Sequence, residues 1–186
     1  MNEEARRRMM DNTKGLIFNI IHGSFVDGYG IRTTIFLKGC PFKCVWCCNP
    51  EGQSFDAELR AVAADCNGCG NCAKACPEKA VEVKEDGDKF SVNVDRKLCT
   101  NCGKCIDVCY TGALSFYRKD YTVDEMFEVI KKDEQFYRSS GGGVTIGGGE
   151  ATWYPGLFGF RRKPESCCRV FIRIKVSKQS RYFACT

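Results

Sequence analysis

The chain has 186 residues, of which 44% are hydrophobic and 27% are charged, a composition typical of globular proteins. No run of about 18 apolar residues is present, which argues against a membrane-spanning helix. The arginine-rich N-terminus is followed neither by an apolar segment nor by a small-residue cleavage site, so export is not expected. These features predict a cytoplasmic protein without a membrane partner.

The net charge of +5 comes from the C-terminal end of the chain. From Leu157 onward, eight basic residues are opposed only by Glu165, which gives this tail +7 and leaves residues 1–156 at −2. The main part of the chain is therefore weakly acidic, and we expect no nucleic-acid partner for it.

The predicted elements begin with two apolar, β-rich runs in residues 15–37, GLIFNII and IRTTIFL, separated by the glycine-rich loop HGSFVDGYG. A cysteine-rich loop follows in residues 40–53. Residues 62–118 contain an internal repeat, in which CNGCGNCAKACPEKAVEV and CTNCGKCIDVCYTGALSF match at an offset of 33 residues. Each half passes from a cysteine cluster into a short apolar strand.

An amphipathic helix is predicted over residues 122–134, with Thr122 and Glu125 as a capping box. Its apolar face, at helical spacing, comprises Val123, Met126, Phe127 and Ile130. The next stretch, SSGGGVTIGGGE, predicts a short strand between two glycine-rich turns. Strand, long insert, helix, strand is the order of a βα-barrel that carries an inserted domain.

Cysteine is the outlier of the composition, with 15 residues. Disulfide scaffolds are typically short and secreted, whereas cysteines in tight clusters favour a metal protein. The run C-x2-C-x2-C-x3-C occurs twice within residues 62–118, and in this ferredoxin pattern the fourth cysteine ligates the other cluster. Zinc is the alternative, but zinc sites usually consist of two separated C-x2-C pairs. The pattern predicts two fully ligated 4Fe–4S clusters for electron transfer, held by Cys66, Cys69, Cys72 and Cys109, and by Cys99, Cys102, Cys105 and Cys76.

A third group, C-x3-C-x2-C, is formed by Cys40, Cys44 and Cys47. Three thiolates leave one iron of a 4Fe–4S cluster without a protein ligand, and an open position is what a catalytic metal requires. Cys48 is an alternative fourth ligand. Because adjacent cysteines rarely reach the same small cluster, we expect Cys48 to be a small buried side chain.

The stretch VDGYGIRTTIFLKGCPFKCVWC resembles the radical S-adenosylmethionine (SAM) signature of glycyl-radical-enzyme activating enzymes, which are pyruvate formate-lyase-activating-enzyme-like, in the form with a two-cluster ferredoxin insert. The resemblance runs from about Gly15 to Pro155 and includes GGGVTIGGGE. It implies an α/β fold, a partial (β/α) radical SAM barrel with an inserted α+β ferredoxin-like domain. It also implies three 4Fe–4S clusters and SAM as cofactors.

The activity implied by this resemblance is that of an oxygen-sensitive oxidoreductase of an anaerobe. The enzyme reductively cleaves SAM to a 5′-deoxyadenosyl radical, which abstracts hydrogen from a glycine of a partner glycyl radical enzyme. Flavodoxin or ferredoxin supplies the electron. A ferredoxin-like electron-transfer protein, or an inactive fragment of an activating enzyme, is the alternative function.

The resemblance also assigns roles to individual residues. Those expected to bind SAM are Trp46, Gly148, Gly149 and Glu150, with the Glu150 carboxylate on the SAM ammonium group. Those expected to meet the glycyl loop of the partner are Asp27, Gly28, Gly30 and Arg32. A structural ion pair between Asp27 and Arg32 is the alternative. His22, the single histidine, is expected to have a structural or solvent-exposed role.

The resemblance predicts four segments. Residues 1–61 begin the barrel, residues 62–118 form the ferredoxin-like domain, residues 119–156 continue the barrel, and residues 157–186 form an anomalous basic tail. Gly147 and Ala151 differ from the serine and proline common in the family. Without the insert 129 residues remain, whereas a full βα-barrel takes about 250. We expect a truncated or frameshifted chain, a basic arm for an acidic partner being the alternative explanation of the tail.

Overall fold

A computed structural model of the protein describes residues 14–154 and 170–172. Most of the predicted basic tail, residues 157–186, therefore lies outside the described residues. The chain divides into two compact units. The inserted unit spans Ala57–Tyr117, and the outer unit consists of the residues before and after it.

The described residues form nine strands and four α-helices. The strands are β1 (Lys14–Ser24), β2 (Arg32–Leu37), β3 (Leu59–Ala61), β4 (Val81–Asp86), β5 (Lys89–Val94), β6 (Leu114–Phe116), β7 (Lys119–Thr122), β8 (Gly143–Gly148) and β9 (Val170–Ile172). The helices are α1 (Asn71–Ala75), α2 (Lys104–Asp107), α3 (Val123–Lys131) and α4 (Glu134–Ser140). Among these described helices, none combines the length and apolar character that crossing a membrane requires.

The outer unit is built on a five-stranded mixed sheet with the order β7-β1-β2-β8-β9. Strands β2 and β8 run parallel, with Ile35 opposite Ile146, and the other neighbouring pairs are antiparallel. Parallel neighbours require a long crossover connection, and here the chain between β2 and β8 contains the whole inserted unit. β2 is buried on both faces, as expected for a central strand of a covered sheet.

Helix α3 confirms the helix and the capping box that the sequence predicted. The Thr122 side chain accepts a hydrogen bond from the Glu125 amide at 3.2 Å, and the Glu125 carboxylate accepts one from the Thr122 amide at 2.8 Å. Met126 and Ile130 are buried from this helix. The helix ends at Lys131, before the predicted residue 134, and a second helix, α4, follows after a turn at Asp133.

The core of the outer unit lies between the sheet and these helices. Its buried apolar side chains are Leu16, Ile17, Ile35, Leu37, Met126, Ile130, Tyr137, Val144, Ile146, Ala151 and Tyr154. Leu37 and Ile146 belong to the two parallel strands, so the loops that follow these strands start from a rigid, packed base.

The inserted unit contains two antiparallel strand pairs, β3–β6 and the hairpin β4–β5. The internal repeat of the sequence is also a repeat of structure, because α1 and α2 begin 33 residues apart, as do β4 and β6. Gly70 and Gly103 precede the two helices with φ of 71° and 80°, a left-handed conformation that glycine adopts readily. The unit has a core of its own, which includes Leu59, Leu114 and the thiols of Cys72 and Cys105.

Candidate cluster and cofactor sites

A cavity of about 340 Å³ lies at the carboxyl ends of the two parallel strands of the outer unit. Two loops line it, the cysteine-rich loop after β2 and the glycine-rich loop after β8. The cavity-lining residues include all seven that the sequence assigned to the first cluster and to SAM, namely Cys40, Cys44, Cys47, Trp46, Gly148, Gly149 and Glu150. Two sequence motifs about 100 residues apart therefore face the same space.

Backbone hydrogen bonds hold the two loops together. The Gly149 amide donates to Leu37 O at 2.6 Å, and the Glu150 amide donates to Gly39 O at 3.1 Å. Gly39 in turn donates to Gly52 O at 2.7 Å. The backbone of Glu150 is thus held next to the cysteine loop through main-chain contacts.

Glycine is required at these contacts because the backbones approach too closely for a side chain. A Cβ atom at Gly149 would lie 2.4 Å from Gly39 O, and one at Gly52 would lie 2.9 Å from Gly149 N. Gly147 is different, since its nearest neighbours would be Phe36 side-chain atoms at 3.9 Å. The requirement for glycine is therefore strict at Gly149 and absent at Gly147.

Two buried residues that sequence reasoning missed support the cysteine loop. The Lys38 side chain is fully buried and its Nζ donates to Glu51 O at 2.8 Å. The Tyr154 hydroxyl donates to Lys38 O, and burial raises the pKa of Tyr154 above its ordinary value. In the sequence nothing distinguishes Lys38 from an exposed lysine, so its burial is evident only from the packing.

The electrostatics of the cavity favour a bound cation at the cysteines. Burial raises the pKa of Cys40, and although the Phe42 amide acts against this, the nearby Glu150 carboxylate adds to it. A metal-bound thiolate is relieved of this penalty, because the metal's positive charge stabilises the deprotonated sulfur. The donor set of three thiols facing one cavity fits an iron–sulfur cluster that keeps one iron open.

The exposure of Cys48 differs from what the sequence predicted. It was expected to be buried, and that expectation is wrong, because Cys48 is exposed and lines the cavity. The reason is the position of the loop, whose preceding residues Val45 and Trp46 are 96% and 84% exposed. Asn49 Nδ2 donates to Cys48 Sγ at 3.2 Å.

The DG-x-GIR stretch reaches the same cavity through Asp27, whose carboxylate is buried. It accepts hydrogen bonds from Ser24 Oγ and Thr34 Oγ1, each at 2.7 Å. The Thr145 hydroxyl of β8 donates to the Asp27 carbonyl oxygen, also at 2.7 Å. The loop is therefore fastened to both parallel strands.

Arg32, by contrast, is directed into the protein. Its guanidinium donates to Thr145 Oγ1 and Val144 O, each at 2.6 Å, and to Tyr29 O at 3.2 Å. Burial lowers the pKa of Arg32, partly offset by attraction to Tyr137 and Asp27. Arg32 thus positions the loop that precedes β2.

The loop between β1 and β2 exposes apolar side chains that the sequence analysis did not single out. Phe25, Val26 and Tyr29 are 74%, 85% and 82% exposed. Gly30 has a φ of 71°, and a Cβ there would lie 2.5 Å from Gly142 N, so the loop is pinned at this glycine. Gly28 also has a positive φ, of 130°.

His22 belongs to a polar network on strands β1 and β2 and helix α4. Its Nδ1 contacts the Asp133 carboxylate, which also accepts a hydrogen bond from Thr33 Oγ1 at 2.5 Å. Thr33 further contacts the Tyr137 hydroxyl, and burial raises the pKa of Tyr137 to about 12. This arrangement gives His22 a partner in the fold, in keeping with a structural role.

The inserted unit brings its eight cysteines together in two sets of four. The Cys109 cavity is lined by Cys66, Cys69, Cys72 and Cys109. The Cys76 cavity is lined by Cys76, Cys99, Cys102 and Cys105. In each set the fourth cysteine of one run joins the first three of the other, as in the pairing expected from the sequence.

In each of the two cavities four thiols surround a shared space. The other lining residues are mostly small or apolar, among them Val83, Val92 and Val81. A thiolate-ligated cluster in an apolar shell fits this donor set.

The thiols differ in their surroundings. Burial raises the pKa of Cys72, and it raises that of Cys105 to about 11. For Cys109, burial acts to raise the pKa, but hydrogen bonds from Thr111 and from the Leu114, Ala113 and Gly112 amides outweigh it and lower the pKa.

Two family models match the chain. The 4Fe-4S dicluster domain matches residues 65–113, and the 4Fe-4S single cluster domain matches residues 26–65. The first covers most of the inserted unit, and the second includes the C-x3-C-x2-C loop. Both describe iron–sulfur proteins, in agreement with the cysteine spacing.

Curated relatives carry the names of activating enzymes. The isethionate sulfite-lyase activating enzyme of Oleidesulfovibrio alaskensis is 42% identical over 142 residues, which are 74% of this chain and 45% of the relative. The benzylsuccinate synthase activating enzyme of Thauera aromatica is 43% identical over 141 residues, 75% of this chain and 43% of the relative. The indoleacetate decarboxylase activating enzyme of Tractidigestivibacter scatoligenes is 40% identical over 148 residues, 76% of this chain and 47% of the relative.

The chain thus spans less than half the length of these relatives. The similarity covers about three quarters of the chain at 40% identity or more. The names shared by these relatives agree with the motifs in the cysteine loop and in the loop after β8. The chain is therefore homologous to the activating enzymes of glycyl radical enzymes.

Proposed function

We propose that the chain binds SAM at a 4Fe–4S cluster and activates a partner glycyl radical enzyme. The observation that carries this proposal is the single cavity lined by Cys40, Cys44 and Cys47 on one side and by Gly149 and Glu150 on the other. Three thiols that leave an iron open and a buried carboxylate next to them make a site for a ligand that carries an ammonium group.

Cys40, Cys44 and Cys47 would hold the cluster of the outer unit. When bound, this cluster supplies an open iron for SAM and the electron that cleaves SAM to a 5′-deoxyadenosyl radical. The protein contributes ligation and position. The Glu150 carboxylate would pair with the SAM ammonium group, while Gly148 and Gly149 allow the ligand to approach the backbone closely.

The inserted unit would hold two further 4Fe–4S clusters, one in the Cys109 cavity and one in the Cys76 cavity. Each cavity provides four thiols, so neither cluster has an open iron and both suit electron transfer. Flavodoxin or ferredoxin is the electron donor that we propose for them. Trp46, exposed beside the outer cysteines and lining their cavity, would cover one side of the bound SAM.

A partial radical SAM barrel is the architecture we propose for the outer unit. Its support is the placement of both motif loops after the carboxyl ends of parallel strands β2 and β8, where barrel enzymes carry their active sites. The domains that we propose are residues 1–61, 62–118 and 119–156, with residues 157–186 as a tail, of which Val170–Ile172 pair with β8. In the structure the inserted unit begins slightly earlier, at Ala57.

The partner's glycine-bearing loop would enter the cavity beside the loop formed by residues 25–31. Asp27 lines the cavity and is the residue of this loop best placed to meet the incoming chain. Gly28, Gly30 and Arg32 shape the loop, since Arg32 is engaged with Thr145 and with carbonyl groups. The exposed apolar side chains of this loop, described above, supply contact area.

The experiment that tests this function is formation of 5′-deoxyadenosine from SAM by protein loaded anaerobically with iron and sulfide and reduced with dithionite. We expect product from this protein. We expect the C44A variant to lose more than the roughly 10–100-fold that loss of a group supporting a metal ligand costs, because Cys44 is proposed as a ligand itself. No product from protein that carries all its iron would contradict the proposal.

A ferredoxin-like electron carrier is the second candidate, favoured by one observation. The inserted unit has its own hydrophobic core and both four-cysteine cavities, so it contains all that a carrier needs. Reversible one-electron reduction without any cleavage of SAM would select the carrier over the activating enzyme.

A further inference from the structure

The two halves of the inserted unit allow a direct comparison of the two cluster sites. Cys76 and Cys109 occupy matching positions of the repeat but line different cavities. Backbone amides donate to both sulfurs. Ala80 N lies 3.2 Å from Cys76 Sγ, and its counterpart Ala113 is among the amides that donate to Cys109. The alanine contact is common to both sites, whereas Cys109 also accepts hydrogen bonds from the Gly112 and Leu114 amides. Side chains that differ between the halves add to this difference.

The first such difference is two residues after the fourth cysteine. Thr111 Oγ1 lies 3.7 Å from Cys109 Sγ, and an iron-bound thiolate has no proton, so the hydroxyl is the donor there. The matching residue in the other half is Glu78, which lines the Cys76 cavity. Apart from the cysteines, Glu78 is the one charged side chain around either cavity, all of whose lining residues are described.

The second difference is at Asn101, whose counterpart in the repeat is Gly68. Asn101 Oδ1 accepts a hydrogen bond from Leu59 N at 3.0 Å, which fixes the orientation of the side-chain amide. The same oxygen lies 3.7 Å from Cys99 Sγ in the Cys76 set. The negative end of this amide therefore faces a sulfur that ligates iron, whereas Gly68 places nothing there.

Both differences act in the same direction on the reduction potential. Adding an electron makes a cluster more negative, so a hydrogen-bond donor to sulfur favours reduction, and a carboxylate or a carbonyl oxygen opposes it. We propose that the two clusters of the inserted unit have unequal reduction potentials, the one in the Cys109 cavity being the higher.

A single electron from a low-potential donor then resides on the cluster in the Cys109 cavity, and no bond forms or breaks in this step. The inference rests on the two-cluster assignment of the proposed function. Glu78 and Thr111 are both exposed. Water screens the charge of Glu78, whereas the Thr111 hydroxyl contacts a ligand sulfur directly, so we expect Thr111 to be the stronger determinant.

The test uses the full chain in which Cys40, Cys44 and Cys47 are replaced by alanine, so that only the inserted clusters respond. Its anaerobic redox titration, followed by electron paramagnetic resonance, should show two separate one-electron steps.

T111V should lower the higher potential and leave the lower one in place, and T111S should restore the higher potential. E78Q should raise the lower potential by a smaller amount. The control E82Q, at an exposed residue of β4 that lines neither cavity, should shift neither step.

Contrary outcomes distinguish a wrong order of the two potentials from a wrong assignment of the two clusters. A shift of the lower step by T111V, or of the higher step by E78Q, would reverse the order of the clusters and overturn the inference. If T111V and E78Q shift neither potential in protein that binds the iron of two clusters, the inference about unequal potentials is overturned and the cluster assignment is not affected. Iron for fewer than two clusters would overturn the cluster assignment and this inference with it.

Discussion

Glu150 shows how a single residue can be positioned by main-chain contacts. Its amide bonds to Gly39 O, next to the first cysteine of the loop, and its carboxylate is buried and lines the cavity. A buried carboxylate next to thiolates is unfavourable by itself, since like charges repel. In the proposed function the ammonium group of SAM would relieve this repulsion at Glu150.

We predict that E150Q weakens SAM binding about 30-fold. Replacing the carboxylate by an amide keeps the shape but removes a charge-assisted hydrogen bond, which contributes about 2 kcal/mol. The measurement is a SAM titration of the iron-loaded, reduced protein, followed by the change in its paramagnetic resonance spectrum. The control is E128Q, at an exposed residue of α3. Equal affinities for E150Q and E128Q would contradict this role.

At the scale of the element, the meeting of the loops after β2 and β8 decides whether the cavity forms. The two loops are joined by amide–carbonyl bonds, and the glycines between them leave no space for a Cβ. The cavity therefore depends on backbone shape as much as on the cysteines that line it.

We predict that G149A disrupts the outer cluster site while G147A does not. The added methyl group at residue 149 would meet Gly39 O at 2.4 Å, whereas at residue 147 it would meet only ordinary contacts at 3.9 Å. Iron analysis after anaerobic loading should show G149A short of one cluster and G147A fully loaded. Full loading of both variants would show that the loops move apart without cost.

The sequence predicted well those elements whose pattern is local. The capping box and apolar stripe identified α3, and the ferredoxin-type cysteine runs predicted which cysteines line each cavity. Helix α4 was missed because EQFYRSS contains two aromatic residues but no extended apolar period. The burial of Lys38 and the exposure of Cys48 depend on contacts distant in sequence, so no local pattern reveals them.

At the scale of the whole molecule, the two units differ in how far their cysteines belong to the hydrophobic core, and we expect them to depend on iron to different degrees. The core of the inserted unit includes Cys72 and Cys105, with other cluster cysteines packed against it, so cluster ligands are part of what holds this unit together. The core of the outer unit consists of side chains from the sheet and helices, without its cluster cysteines. Metal binding is thus coupled to folding mainly in the inserted unit.

We predict that removal of iron by an anaerobic chelator unfolds the inserted unit and leaves most of the outer unit folded. Hydrogen exchange measured by mass spectrometry should show loss of protection in β4 and β5 and continued protection in α3. The control is the same chelator already saturated with iron. Loss of protection in both units to the same extent would contradict the difference between the two cores.

The inserted unit begins and ends in one place. Its first and last strands, β3 and β6, pair antiparallel with Leu59 opposite Phe116, and the Tyr117 amide donates to Glu58 O at 2.8 Å. The chain thus leaves this unit one strand spacing, about 5 Å, from where it entered. The unit behaves as a cassette. Its removal would leave a gap that a linker of a few residues between Asp56 and Arg118 would close.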